Sequence, residues 1–581
     1  MRLLPMMYIA IMIIFLVVPL IYLFISSMDP ASLADIILSI KIPPSGALYT
    51  IYDYGDYRLI YIEGLDFGPL INSLILSAVV SLATLIMALY SVVASLSMSR
   101  SRWFLSYLVP LLASIPMPFI SAYAVIHLVH RDYGLINTFL GFLGSSYRIS
   151  IDGVAGVALY QLIHFYPLTH LLLLSYAETI NRDLVDASSN LGGRSLNTIY
   201  RILIPLMRPA ILAAWSLVFI LSLEDLVGPI AFSRHNYARN LLSYQAYIGF
   251  ISEYGYLVSP RIASYVLIML AIAILLLALF YRYISGSRFG IISPRRIYIE
   301  IPGVGGHILR ISASSLLIAS LAPNFMVLIY SITEGWFSNP YPRGFVIDNY
   351  ASLLTTPYYY RAIINTILYT AISSTLIMVI GYIASYISMR GSGGSSFLVE
   401  ALSMTPLVVP GVAVGIAYYQ LFHSVLRGSW ADPVYIPWIY LLATYTIRRL
   451  PYMVRPVEAS LQRIPRSFEE ASYNLGSSPS RTMWGISFPM SLGSISTGYV
   501  IASIQVATEV STSLILIGSV SVSASHPSPI TPLIASLIIY DPQLVHRASA
   551  LLIFTLVSVI IVSIAITRII SHSLKIPREA F

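Results

Sequence analysis

DASSNLGGRSLNTIYRILIP, residues 186–205, returns 284 positions later as EASYNLGSSPSRTMWGISFP, residues 470–489. The register holds without a gap. Eight of the twenty positions are identical, where average residue usage gives about one or two by chance. Both stretches are polar, and both lie between long apolar runs. A polar repeat inside an apolar chain marks two equivalent docking surfaces. It makes the chain a double unit and places its function at an interface with another protein.

Around these copies the chain is dominated by apolar residues. Hydrophobic residues make up 57% and charged residues 10%, against about a quarter charged in an ordinary soluble domain. Apolar runs of about twenty residues recur along the whole length, each long enough to cross a hydrocarbon core of about 30 Å. The expected class is an all-α integral membrane protein of the cell membrane, in contact with lipid. There are no cysteines, which excludes disulfides, thiolate nucleophiles and Cys-based metal sites. The net charge of +8 is read as a topology signal beside spans and implies no nucleic-acid partner. No cofactor is expected.

Twelve candidate helices lie near 6–27, 69–98, 104–130, 153–178, 209–232, 261–284, 311–333, 361–389, 397–424, 436–455, 490–517 and 544–570. The first is longer than a signal-peptide core and no small-x-small cleavage site follows it, so it reads as a retained span with Arg2 cytoplasmic. With both termini cytoplasmic, 22 of the 33 Lys and Arg fall on inner segments, as the positive-inside rule asks. Both copies then lie inside, as does the basic linker with Arg282, Arg288, Arg295, Arg296 and Arg310. Six spans separate the copies, so the duplication is parallel rather than inverted. The expected units are residues 1–300, the first with its linker, and 301–581.

Each copy reads as helix, break, helix. Ser467 and Glu470 have the spacing of a capping box, which predicts a helix from about Phe468. Asp183 and Asp186 hold the same places in the first copy, and Asp suits a helix N-terminus. Gly192 and Gly476 are expected to close the short helices in the left-handed conformation. Pro479 suits the first turn of the next helix, and Pro205 and Pro489 are expected where the chain turns back into the membrane. Ala187-Ser188 and Ala471-Ser472 keep one face thin, so that a partner can come close. The bland alternative is a solvated loop repeated only because the gene duplicated. The twin spacing, with matching prolines upstream at Pro167 and Pro451, weighs against it.

An acidic residue, two small residues, glycine six positions after the acid and proline thirteen further on resemble the EAA loop of binding-protein-dependent (MetI-like) ABC importer permeases. Both copies keep that spacing. Each has Ser (Ser188, Ser472) where a second Ala is usual, and Asp186 replaces Glu. LSLEDLVGPI at 221–230, MTPLVVPGVAVGIAY at 404–418 and ATEVSTSLIL at 507–516 extend the likeness over both halves. Two fused six-span units in one chain are similar to the permeases of ferric-iron and thiamine importers. The resemblance implies that Asp186 to Gly192 and Glu470 to Gly476, with the helices that follow, couple to two ATP-binding cassette subunits on the cytoplasmic face. It also implies an extracytoplasmic solute-binding protein that selects the cargo. Ferric iron is the first choice, with thiamine, polyamines, other oxyanions and sugars left open.

The chain is not expected to be an enzyme. A P-loop needs a lysine on the phosphates, and the only lysines are Lys41 and Lys575, neither after a glycine loop. ATP hydrolysis then belongs to a separate subunit. Glu224 and Asp225 fall in the fifth span, and the offset of 284 carries Asp225 onto Glu509 in the eleventh. Ionisable groups at membrane depth cost about 2.5–3.5 kcal/mol on insertion scales and usually face a protein interior or a watery path. Asp225 and Glu509 are therefore candidates for the translocation path, against a plain structural hydrogen bond between helices. His164 and His170 share no helical face well, which argues against a metal site. Asp53, Asp56, Glu63 and Asp66 read as a solvated outer loop. The rivals are an ion-driven secondary transporter, against which the parallel repeat stands, and a membrane scaffold without transport, which leaves the paired acids unexplained.

Overall fold

A computed structural model describes residues 3–98, 103–254, 256–284, 297–336, 339–391, 393–518 and 527–573. Arg2, Arg288, Arg295, Arg296 and Lys575 lie outside the described residues, as do residues 285–296 of the expected linker between the halves. Among the described residues, eight helices are long and apolar enough to cross a membrane, or up to ten if each of two bent pairs is one span. The first half contributes α1 (Leu4–Ser26), α2 (Pro69–Leu96), the short α3 (Phe104–Ala113) and α4 (Ile120–Val129), and α5 (Gly153–Ala177). After the polar α6 (Arg182–Asn190) come α7 (Ile204–Glu224), α8 (Val227–Ala231) and α9 (Pro260–Ile284).

The second half follows with α10 (Gly303–Ser331), α11 (Pro357–Arg390), and α12 (Gly394–Leu407) with α13 (Gly411–Leu426), which are bent by 103° to each other. Next are α14 (Pro437–Arg448), α15 (Pro451–Arg463), the polar α16 (Ser467–Asn474), and α17 (Leu492–Ala507). The chain ends in α18 (Ile530–Tyr540) and α19 (Pro542–His572). Every segment expected as a span is largely helical. The stretches near 104–130 and 436–455 are each divided into shorter helices that do not pass as single spans. In the first, Pro116 and Pro118 lie in the gap between α3 and α4. In the second, Pro451 opens α15 as its first residue, where its missing N–H does no harm.

The same packing recurs in each half. α2, α5 and α7 pack on one another, and α11, α15 and α17 do likewise. Close approach comes from small side chains. α2 buries Ser73, Ser77, Ser81, Ser91 and Ser95, and α11 buries Thr366, Thr370, Ser374, Gly381 and Ser385. Small residues on one face let helix backbones approach, and their hydroxyls bond back to the helix, as Thr84 does to the Val80 carbonyl.

The first helix of each half is exchanged. α1 packs along α12 and α13 of the second half as well as on α9 of its own, and α10 packs along α2, α3 and α4 of the first as well as on α19 of its own. Tyr8 of α1 bonds Ser403 on α12 at 2.5 Å, and Ser424 on α13 donates to Tyr22 on α1 at 2.7 Å.

A three-stranded sheet is built from loops of the first half: β1 (Tyr49–Asp53) antiparallel to β2 (Arg58–Ile62), and β2 parallel to β3 (Tyr147–Ile151). The acidic stretch expected as a solvated loop is therefore ordered. Asp66 is buried and pairs with Lys41, Glu63 lies 2.8 Å from His235, and Asp53 pairs with Arg58 at the surface.

Candidate coupling surfaces and the buried ion cluster

The two copies of the repeated stretch fold alike. α6 and α16 each end in a Schellman motif. Gly192 N–H donates to Ser189 O at 3.0 Å and Gly193 N–H to Ser188 O at 2.8 Å. In the second copy Gly476 donates to Tyr473 O at 2.9 Å and Ser477 to Ser472 O at 3.1 Å. Gly192 has φ 79° and Gly476 φ 82°, a conformation in which only glycine is at ease. The N-termini differ from the capping-box expectation. Asn181, not Asp183, caps α6 by accepting the Asp183 N–H, and α16 starts at Ser467 after Arg466 with no side-chain cap. Asp186 pairs with Arg182 at 3.3 Å on the surface, and Glu470 is exposed.

The residue pairs expected to keep one face thin divide. Ala187 and Ala471 are exposed, whereas Ser188 and Ser472 turn inward. Ser188 Oγ lies 2.8 Å from Thr198 Oγ1, and Ser472 Oγ lies 2.9 Å from Thr482 Oγ1. Serine at this position thus ties each short helix to the next one, which alanine could not do. The outer face carries an apolar pair that the sequence reading passed over. Leu184 and Leu191 are 45% and 88% exposed, and their counterparts Phe468 and Leu475 are 50% and 88% exposed. Exposed apolar groups therefore recur at matched positions on the outer faces of the two copies.

Below the loops, a wide π-turn precedes the proline in each copy, at Ile199–Leu203 and Met483–Ser487. Proline cannot donate the N–H that a regular turn needs, and the wider turn accommodates this. The prolines do not themselves mark a turn. The helix runs through Pro205 into the body of α7. In the second copy, Pro489 precedes a 76° bend that lies between Met490 and Leu492.

Within the helical bundle, four helix breaks converge. α7 ends at Glu224 and α8 starts at Val227, with Asp225 between them accepting N–H bonds from Val227 and Gly228 at 3.1 Å each. α17 ends at Ala507, and Glu509 caps the turn beyond it, accepting from the Thr512 and Ser513 N–H groups at 3.2 Å each. Glu224 accepts the Gly411 N–H at 2.9 Å, so an acid of the first half caps α13 of the second. Arg448, the last residue of α14, sits among them. Its Nη1 donates to Glu509 at 2.7 Å, and its Nη2 lies 3.5 Å from Glu224. Side-chain exposure is 7% for Arg448, 1% for Glu509 and 15% for Glu224. Asp225 meets a neutral partner instead, the Gln161 Nε2 at 2.9 Å.

Each carboxylate therefore satisfies a helix N-terminus that would otherwise leave N–H groups unpaired in a medium without water. The arrangement ties Glu224 of the first half to Arg448 and Gly411 of the second. Sequence reasoning found Glu224, Asp225 and Glu509 but missed Arg448, Gln161 and Gly411. Arg448-Arg449 in the apolar stretch 436–455 was the available signal. His170 bonds Ser91 Oγ at 2.7 Å and the Ser106 carbonyl at 3.1 Å, while His164 stacks on Tyr160.

Residues 377–576 match the family model of the binding-protein-dependent transport system inner membrane component. The ferric transport system permease protein FbpB of Actinobacillus pleuropneumoniae is 24% identical over 456 residues, covering 77% of this chain and 64% of its own length. FbpB 1 of Haemophilus influenzae is 24% identical over 456 residues, with 70% of its length covered. The putrescine transport system permease protein PotI of Escherichia coli is 26% identical over 187 residues, 31% of this chain. The chain thus spans about two thirds of the length of the FbpB relatives. Residues 377–576 are thus similar to the binding-protein-dependent transport system inner membrane component, and the likeness to the FbpB permeases extends over 77% of the chain.

Proposed function

We propose that this chain is the transmembrane permease of an ATP-driven ABC importer, with ferric iron as its cargo. The observation that carries the reading is the pair of polar loops. Both are closed by the same Schellman turn, tied inward by the same Ser–Thr bond, and faced outward with the same exposed apolar pair. Two matched knobs fit two copies of one partner, the ATP-binding cassette subunit. Asp186, Ala187, Gly192, Glu470, Ala471 and Gly476 form the coupling surface. Ser188, Ser472, Pro205 and Pro489 set its position on the spans.

In this reading, residues 1–300 and 301–581 are two parallel six-helix units. Both termini are cytoplasmic, and a solute-binding protein delivers cargo to the outer face. Nucleotide binding draws the two partner subunits together, and the loops pass that movement to α7 and α17. The equilibrium shifts only as far as nucleotide affinity differs between the outward and inward states. Asp225 and Glu509 sit at the breaks of those helices, where movement would reach the path. Ferric iron is favoured over a polyamine because the ferric permeases align over 77% of the chain and PotI over 31%.

The test is Gly192→Val with Gly476→Val. The protein is expected to insert and to copurify with its ATPase at a reduced level, with transport-stimulated ATP hydrolysis lost. Unchanged stimulation would refute the coupling assignment. Iron uptake unaffected by deletion of the cognate ATPase would refute the importer reading.

A further inference from the structure

A groove opens beside α16, the second of the two polar helices. It has a volume of about 490 Å³, within the range of about 300–1,000 Å³ usual for ligand clefts. Leu4, Pro5 and Met6 of α1 form one wall, Tyr386, Ile387 and Arg390 at the end of α11 form another, and Ser395, Ser396 and Tyr473 close the rim. It lies where a membrane-spanning helix leaves the bilayer, since Arg390 is the last residue of α11. The long wall is apolar and one end is cationic.

The polar end holds donors left over after the protein's own bonds are made. Arg390 Nε donates to Glu469 at 2.9 Å, and Nη2 donates to the carbonyls of Leu461 and Ile464 at 3.0 and 2.9 Å. Its Nη1 takes no part in these bonds, and the side chain is 90% buried. Ser396 Oγ, itself buried, has no partner. A second guanidinium, outside the lining, is tied to the residue before Arg390, where Arg466 Nη2 donates to the Met389 carbonyl at 3.1 Å. Glu469 answers one of the two positive charges.

The first half fills the matching region with its own chain. The segment leading into α10 runs beside the end of α2, where Ile299 N–H donates to Leu96 O at 3.1 Å and Ser195 Oγ bonds Glu300 O. Ile297 and Ile299 are buried there, in the same apolar cluster as Val185 and Ile199. Among the described residues, nothing plays that part on the second half.

We propose that this groove is a binding site for an anionic phospholipid. Its phosphate would be held by Arg390, Arg466 and Ser396, and one acyl chain would lie along Leu4, Met6 and Ile387. Basic residues at the end of a span attract anionic headgroups, while the apolar wall selects a lipid over free phosphate. The inference stands apart from the coupling assignment, because it needs no ATPase.

The experiment uses the full chain in phosphatidylcholine vesicles containing phosphatidylglycerol with a photoactivatable acyl chain. Crosslinks are expected to concentrate on residues 4–6 and 386–396, about tenfold above those on the other lipid-facing helices. Unlabelled phosphatidylglycerol should compete, and added phosphatidylcholine or inorganic phosphate should not. Ser395→Trp, at an exposed rim position, should cut groove labelling about fivefold while leaving labelling elsewhere unchanged, which serves as the folding control. Arg466→Ala should reduce the preference for phosphatidylglycerol without closing the groove. Even labelling of all spans, or equal competition by phosphatidylcholine, would overturn the site. So would groove labelling that rises only when residues 1 and 2 are removed, since the chain's own N-terminus would then be the occupant.

Discussion

Glu509 and Asp225 hold the same place in two copies of one design, and they are neutralised differently. Each caps the short turn after a broken span with two backbone N–H groups. Beyond that shared task they part. Glu509 has the Arg448 guanidinium, whereas Asp225 has the neutral amide of Gln161. The position 284 residues before Arg448 is His164, which makes no ion pair and stacks on Tyr160. The spare bonding capacity of Arg448 reaches across to Glu224, at a position where the second half has Thr508. The two matched positions thus share the backbone need, a capped helix break. The charge that ties the halves together was then concentrated on one side. The two halves have the same shape but do not carry the same load.

The largest effect that would test this asymmetry is on Arg448. Arg448→Met takes from the buried Glu509 and Glu224 the guanidinium they pair with and leaves only the charge of Arg449 nearby, a loss that costs about 3–5 kcal/mol. The purified protein should lose most of its folded fraction in detergent, read as a fall in Tm. Adding Glu224→Gln and Glu509→Gln should restore much of it, whereas Asp225→Asn alone should do little, because Asn can still cap α8. Equal losses from Arg448→Met and Asp225→Asn would erase the distinction between the halves.

Next in size is the seating of the polar helices. Glu469, buried under α16, bonds Arg390 and Ser487 at 2.9 and 2.6 Å. Its counterpart under α6 is the buried Val185. Glu469→Gln should destabilise by about 2 kcal/mol through weakened charge-assisted bonds, and proteolysis between residues 465 and 480 should accelerate. Cleavage near residues 181–196 should not change. Faster cutting at both loops would show that they open together.

A smaller and symmetrical effect is expected from the serines. Ser188→Ala and Ser472→Ala each remove one hydroxyl bond, worth about 1 kcal/mol, and the two shifts in Tm should agree. A clear difference would mean that only one of the two ties bears strain.

The smallest effect near neutral pH concerns Asp66, in the loops of the first half that carry the three-stranded sheet. Burial pushes its carboxyl up, but Lys41, Asn72, the Gly68 N–H and Asn240 together hold it below the usual range. A lowered folded pKa means that the stabilisation is complete above the unfolded value of about 3.9 and is lost as pH falls through the folded value. Wild-type protein and Asp66→Asn should therefore keep a constant Tm difference from pH 8 to 5 and converge only in stronger acid. Convergence already at pH 6 would contradict the pairing with Lys41.

Several of these features were legible in the residues alone. The matched spacing of DASSNLG and EASYNLG gave both polar helices and both closing glycines, because a Schellman turn is a local device whose signal is one residue. Eight of the twelve expected spans were readable for the same reason, since apolar length is local, and two more are bent pairs. The helix N-termini were misplaced by a residue or two. Asn181 captures the Asp183 N–H in one copy, and the turn begun at Pro465 replaces a side-chain cap in the other. Pro205 was expected at a turn that the preceding π-segment makes unnecessary. What could not be read were partnerships across distance. Arg448 and Glu224 are 224 residues apart in the chain, and nothing near either one names the other. Asp66 looked like a solvated acid because Lys41 and Asn240 reach it only through the folded outer loops.

The exchange of first helices carries a consequence for how the molecule comes to exist. α1 leaves the ribosome before its seat on α12 and α13 has been synthesised, and it must wait beside its own half while some four hundred residues follow. Neither half is a finished object until the other is present. Severing the chain between α9 and α10 should accordingly give two fragments that hold each other through reciprocal embrace, and that are degraded when either is made alone.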